Sequence, residues 1–167
     1  MSHSFSIKTF SATILFLLIG ATTRAGSADD LIKSGDDLDL KLKASEALDF
    51  YLEAEKLEPK NASLLVRIAR QYRHLMADAT TREEKLKLGG IGLGYAQRAA
   101  ALAPNDSEAQ LSPAISYGKL VPLQGIKEQM EAARRIEEAA DKAIRLNPHN
   151  DFGLGRAWPL ESGAGRC

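Results

Sequence analysis

Cysteine occurs once in this chain, as Cys167, so no disulfide can form within it and the fold must be held by packing. Aromatic residues are only 6% of the sequence, too few for the aromatic and β-branched faces that β-sandwiches stack together. Histidine is scarce too: His3, His74 and His149 are too scattered to share a metal ion. No HExxH, CxxC or GxSxG occurs, which removes the commonest zinc, redox and nucleophile signatures. Neither sign of charge is in excess, with 22 Lys and Arg against 22 Asp and Glu, so a nucleic-acid partner is not expected. Nothing fixes a pair of carboxylates in a cleft. These gaps predict no catalytic residues, no cofactor and no metal, and a protein that is not an enzyme.

Long apolar runs are absent outside the N-terminus. There, Lys8 precedes an apolar stretch centred on residues 14–19, and the small residues around Thr23 and Ala25 follow. That order predicts a signal peptide over residues 1–25, cleaved near Ala25. The stretch is shorter than the roughly 20 residues a membrane span needs, which makes an uncleaved anchor the weaker alternative. The expected location is therefore periplasmic or secreted, with membrane contact only during export.

What the chain does have is a repeat. Residues 47–61 (ALDFYLEAEKLEPKN), 96–106 (AQRAAALAPND) and 139–150 (AADKAIRLNPHN) each run Ala-rich into a leucine, one residue, then proline. Pro59, Pro104 and Pro148 stop a helix, because proline lacks the N–H and crowds the preceding turn. Asn61, Asp106 and Asn150, just beyond, suit the cap of the next helix. Steps of 45 and 44 residues between the prolines mark an internal repeat. Residues 28–61 resemble the tetratricopeptide pattern: Leu31, Gly35, Leu38, Ala47, Tyr51, Ala54 and Pro59 hold its small and large positions. Small residues let two antiparallel helices approach and large ones fill the gaps. A second unit starts at Ala62 with Leu65, Ile68, Ala69 and Tyr72, and ends on Ala96, Ala99 and Pro104; its extra length lies in 74–88, with Thr80 or Thr81 as an N-cap. A third starts at Ser107 and carries Ala114 and Tyr117. It has a loop around Pro122 and Gly125, and its helical spacing over 126–146 runs through Met130, Ala133, Ile136, Ala140, Ala143 and Ile144. The expected fold is all-α, a tetratricopeptide-like right-handed α-solenoid of about three helical hairpins over residues 28–150, in which stacking creates the core.

The run ALAPNDSEAQLSPAISYGKL, followed by IEEAADKAIRLNPHND, resembles the regulator of microtubule dynamics proteins, a tetratricopeptide-like family with animal members and exported bacterial relatives. The resemblance covers roughly residues 30–155, with ISYGKL and KAIRLNPHND its most specific parts. It implies a further helix with a Gly-Arg-Trp motif after the last Asn-Asp. This chain has Gly155, Arg156, Ala157 and Trp158, then Pro159. Residues 151–167 are therefore expected to form an irregular tail, the remnant of a further repeat at a truncated or altered C-terminus. The animal members' microtubule or organelle role is not expected to transfer directly to a chain with a signal peptide.

Three polar or small-residue patterns are candidates for function. Gly89, Gly90, Gly92 and Gly94 do not follow a strand or precede a Lys-Ser or Lys-Thr pair, as a phosphate loop would need. They are expected at a close-packed or kinked helix start. Glu-rich stretches are expected to be solvated helix faces with i, i+4 partners, such as Glu131 with Arg135 and Glu138 with Lys142. Arg67, Arg70, Arg73 and His74 fall along one side of the second unit's first helix. First helices line the groove of this architecture, so this ridge is the candidate partner-binding site, suited to a partner's carboxylates. The plainer alternative is that it pairs with acids such as Asp36 and Asp39. The peptide-carboxylate clamp of some tetratricopeptide domains is not matched, because Ile32 and Asp36 stand at its positions. Taken together, the sequence predicts a non-enzymatic protein or peptide-binding scaffold. The alternative is a module that self-associates through an uncapped C-terminal face.

Overall fold

The computed structural model describes residues 26–148. The expected signal peptide (1–25), the tail (151–167) and the expected cap Asn150 lie outside the described residues. Six α-helices follow one another: α1 (Ala28–Asp39), α2 (Ala44–Leu57), α3 (Ala62–Asp78), α4 (Arg82–Leu102), α5 (Ser107–Leu120) and α6 (Ile126–Leu146). A 3₁₀ turn, Val121–Leu123, joins the last two. No strand occurs among the described residues. Consecutive helices pack in pairs and each pair lies against the next, giving an all-α, solenoid-like stack.

The punctuation expected from the sequence is what sets these ends. α2 and α4 stop two residues before Pro59 and Pro104. The side chains of Asn61 and Asp106 accept from the backbone N–H of Leu64 (3.0 Å) and Ala109 (2.7 Å), and so cap α3 and α5. Thr81 caps α4 by accepting from Glu84 N–H at 3.1 Å. Ser27 and Asp30 form a reciprocal capping box at the start of α1. The extra length of the second and third hairpins goes mainly into longer helices: α4 and α6 each have 21 residues, against 14 in α2.

α3 is the middle of the stack, touching α2, α4 and α5. Its Leu64, Leu65, Ile68 and Ala69 are wholly buried, alongside Ala47, Tyr51 and Ala54 of α2 and Ala96 and Ala99 of α4. Gly35 lets α1 approach this layer: a Cβ there would fall 2.4 Å from Cε1 of Tyr51. A smaller cluster, Leu111, Ala114 and Ala143, joins α5 to α6. The buried residues of α6 are alanines alone (Ala132, Ala140, Ala143), so it buries less apolar area than α3 does.

Three local expectations fail. Residues 89–94 lie in the middle of α4, which starts at Arg82. Gly89 and Gly92 do sit where helices touch, against Met76 and Leu120 and against Tyr72 and the Ala69 carbonyl, while a Cβ on Gly90 or Gly94 would meet nothing. The periodic residues of α6 divide between two sides: Ala140 and Ala143 are buried, whereas Met130 (72% exposed) and Ile144 (46%) face solvent. Glu131 pairs with Arg135 at 2.6 Å, but Glu138 and Lys142 form no such pair. Their solvated side chains gain too little to be held in one geometry.

Candidate functional site

The ridge of α3 lies between the first helices of the other two hairpins. Arg67 reaches back to α1, where its Nε donates to Oδ1 of Asp36 at 2.8 Å. The same carboxylate oxygen accepts from the Tyr51 hydroxyl at 2.7 Å. Asp36 thus joins α1, α2 and α3. Partial burial on its own would raise the Asp36 pKa. The hydrogen bonds from Arg67 and Tyr51, with the charges of Arg67 and Arg70, outweigh burial and hold it below the usual value. Arg67 shows the mirror image: burial would lower its pKa, but Asp36 keeps it raised. Burial first, then the bond to Asp36, push the Tyr51 hydroxyl well above its ordinary pKa.

One turn further on, Arg70 spans both neighbours. Its Nη1 lies 3.2 Å from Asp39 on α1 and its Nη2 3.2 Å from Glu108 on α5. Arg73, a turn beyond, has two serines instead of an acid: its Nη1 donates to Ser116 (3.1 Å) and Ser112 (3.4 Å) of α5. Pro113 sits between those serines inside α5, where it removes one rung of the helix ladder. The Ser116 hydroxyl donates to the Ser112 carbonyl at 3.0 Å. His74 is exposed at the edge of the ridge.

Sequence-predicted residues Arg67, Arg70 and Arg73 are therefore together on one surface, and His74 borders it. Arg67 and Arg70 already hold acids of their own chain. The pairing with Asp36 and Asp39 was open as an alternative from the sequence; Glu108 was not foreseen, because it lies 38 residues from Arg70. The arrangement is a lattice of alternating charge, about one-third exposed at Arg67 (30%) and Arg70 (33%). It is not a row of free cations.

A second polar cluster, also unforeseen, lies between α2 and α4. Glu55 accepts from the Tyr95 hydroxyl (3.0 Å) and pairs with Arg98 (2.8 Å), whose guanidinium stands 5.1 Å over the Tyr95 ring. Tyr95 stacks on Tyr72 of α3 with centroids 5.7 Å apart. Burial, then the bond and charge of Glu55, push the Tyr95 hydroxyl up to about 12. Among the described residues no group of three His, Cys, Asp or Glu could hold a metal ion, and no helix is long and apolar enough to cross a membrane.

Comparison with known proteins points to one family. Regulator of microtubule dynamics protein 1 of Bos taurus is 29% identical over 143 residues, covering 84% of this chain and 44% of that protein. The protein of the same name from Mus musculus is 34% identical over 122 residues, covering 72% of this chain and 37% of its own length; that from Pongo abelii is also 34% identical over 122 residues. The chain thus spans less than half the length of these relatives. The sequence model of the regulator of microtubule dynamics protein 1-3 family matches residues 27–154, and the chain belongs to that family.

Proposed function

We propose that this chain is a non-catalytic helical-repeat module that binds a protein partner over the face formed by α1, α3 and α5. The observation that carries this reading is Arg70, held at 3.2 Å by acids of both flanking helices. It makes the first helices of all three hairpins one continuous, part-exposed charged surface. A surface with both signs of charge in fixed order selects a partner segment of complementary order, and supplies specificity more than raw affinity. Arg67, Arg70, Arg73 and His74 are the proposed contact residues. An exported compartment, periplasmic or secreted, is part of the proposal and is motivated by residues 1–25. Regulation of microtubule dynamics is what the names of the animal relatives record. For this chain the proposal stops at partner binding. A photo-crosslinking residue at His74 should capture a discrete partner, while the same residue at Lys56 on the outer helix α2 should not. Equal capture at both positions, or none at His74, contradicts the assignment.

A second reading rests on α6. Ile126 (80% exposed), Met130 and Ile144 leave an apolar stripe on its outer side, where another hairpin of a repeat stack would pack. Self-association through that stripe predicts a concentration-dependent sedimentation coefficient that Met130→Lys abolishes. A monomer at all concentrations rules it out.

A further inference from the structure

Arg73 stands apart from the arginines before it on α3. Arg67 and Arg70 each meet a carboxylate, but among the described residues none lies within 4 Å of Arg73. Its Nη1 is used by two serine hydroxyls. The remaining guanidinium N–H groups have no hydrogen-bond partner among the described residues. Burial, aided by the charge of Arg70 and opposed by that of Glu108, draws its pKa down to about 10. Its two hydrogen-bond partners are neutral and the charge of Glu108 acts on it only from beyond ion-pair distance, so its desolvation is offset only in part within the chain.

The same side chain lines a cavity of about 220 Å³ between α3, the first turns of α4, and the end of α5 with its 3₁₀ turn. Lys85 of α4 and Lys119 of α5 line it too, and Met76, Pro122 and Leu123 form its apolar wall. No acid lines it. Neither lysine has a carboxylate within 4 Å among the described residues. Arg82 fixes the rim by donating to the Leu123 carbonyl at 2.6 Å, which ties the 3₁₀ turn to the start of α4. Three cations facing one space in a chain of zero net charge repel one another unless an anion lies between them.

We propose that this cavity is a phosphate-binding site in which Arg73, Lys85 and Lys119 neutralise a phosphate group. Three cations suit a group carrying about −1.5 to −2 better than a singly charged carboxylate. The cavity is an open depression of about 220 Å³. That accommodates a phosphate and the first atoms of whatever bears it, and is smaller than the pockets of drug-sized ligands. Met76, Pro122 and Leu123 would meet those bearing atoms. The phosphate can be a small soluble ester or a phosphorylated side chain of a partner. Arg73 belongs to both assignments, but Lys85 and Lys119 are not among the contact residues proposed above, so substituting the two lysines tests this site separately from partner binding.

The test is calorimetric titration of the full chain with inorganic phosphate, and with a short phosphoserine peptide beside its unphosphorylated twin. Lys85→Met with Lys119→Met should weaken phosphate binding at least tenfold and leave the helical circular-dichroism signal unchanged. Lys33→Met with Lys56→Met, the same change of net charge at exposed sites elsewhere, should leave it unaltered. Phosphopeptide binding tenfold or more tighter than inorganic phosphate identifies a partner's side chain as the source; similar affinities identify a free phosphate ester. Absence of binding by either probe, or equal weakening in both double variants, overturns the site.

Discussion

Gly35→Ala tests the packing around Asp36 with a single methyl group. The added Cβ would lie 2.4, 2.7 and 2.9 Å from Cε1, Cδ1 and Cζ of Tyr51, inside any tolerable contact. Tyr51 is wholly buried and its hydroxyl is anchored to Asp36 at 2.7 Å, so the ring cannot swing away without loosening that bond. Moving Asp36 instead would disturb its 2.8 Å bond from Arg67. Overpacking of this kind costs about 1–3 kcal/mol. Weakening a hydrogen bond to a charged acceptor adds about 1.5–3 kcal/mol if it is lost. The helix preference for alanine over glycine returns about 1 kcal/mol. The net expectation is a loss of about 2–3 kcal/mol, or a fall in Tm of roughly 6–15 °C for a domain of this size. Gly90→Ala and Gly94→Ala are the internal controls. A Cβ at either meets no atom within 4 Å, so each should gain about 0.5–1 kcal/mol. The measurement is thermal and urea unfolding followed by circular dichroism. A Gly35→Ala chain as stable as the parent, or more so, would refute the close approach of α1 and α2 on which the hairpin depends.

Other perturbations follow from the same physics. Gln71 is fully buried, and neither of its side-chain polar atoms has a hydrogen-bond partner among the described residues; Gln71→Leu should raise stability by about 1–3 kcal/mol in urea titration, and an equal loss would mean the amide is satisfied. Leu42 holds φ 58° in a Schellman-type end to α1, with Lys43 N–H bonded to Leu38 O and Leu42 N–H to Asp39 O. Leu42→Gly should therefore stabilise by about 1 kcal/mol, and no change would show that the strain is absent. The Tyr95 pKa, raised from 10.0 to about 12, favours the protonated folded state. Its stability contribution is complete below pH 10 and lost as pH rises toward 12; Tyr95→Phe should flatten that alkaline limb. Asp36, with its pKa lowered, works in the opposite sense: its contribution is present above the unfolded value near 3.8 and disappears as pH falls through the folded one. Asp36→Asn should remove the corresponding acid-limb slope.

The helix boundaries were legible because they are written in local chemistry. Pro59 and Pro104 end helices and Asn61 and Asp106 begin them whatever surrounds them, and the 126–146 periodicity matched α6 residue for residue. Orientation was harder to read. Met130 and Ile144 share the helical spacing of Ala140 and Ala143, yet of these four only the alanines are buried, because spacing reports a face and not what covers it. Tertiary packing also overrode propensity: α4 runs through four glycines, two of which supply the close approach to α3 and α5. At the candidate site the arginine row was visible, as a pattern on one helix. Its partners were less so. Asp36 was at hand as a neighbour, whereas Glu108, Ser112 and Ser116 enter from a helix about 40 residues away. Lys85 and Lys119 gave no signal, since a lone lysine on a charged helix reads as solvated until the fold brings two together.

Amide hydrogen exchange of the intact chain tests the central claim, that three hairpins stack around α3, most directly. The slowest-exchanging amides should be those of residues 64–69 in α3, with α6, held mainly through alanines, exchanging markedly faster. Protection that is uniform across the six helices, or highest in α6, would contradict the stack described here.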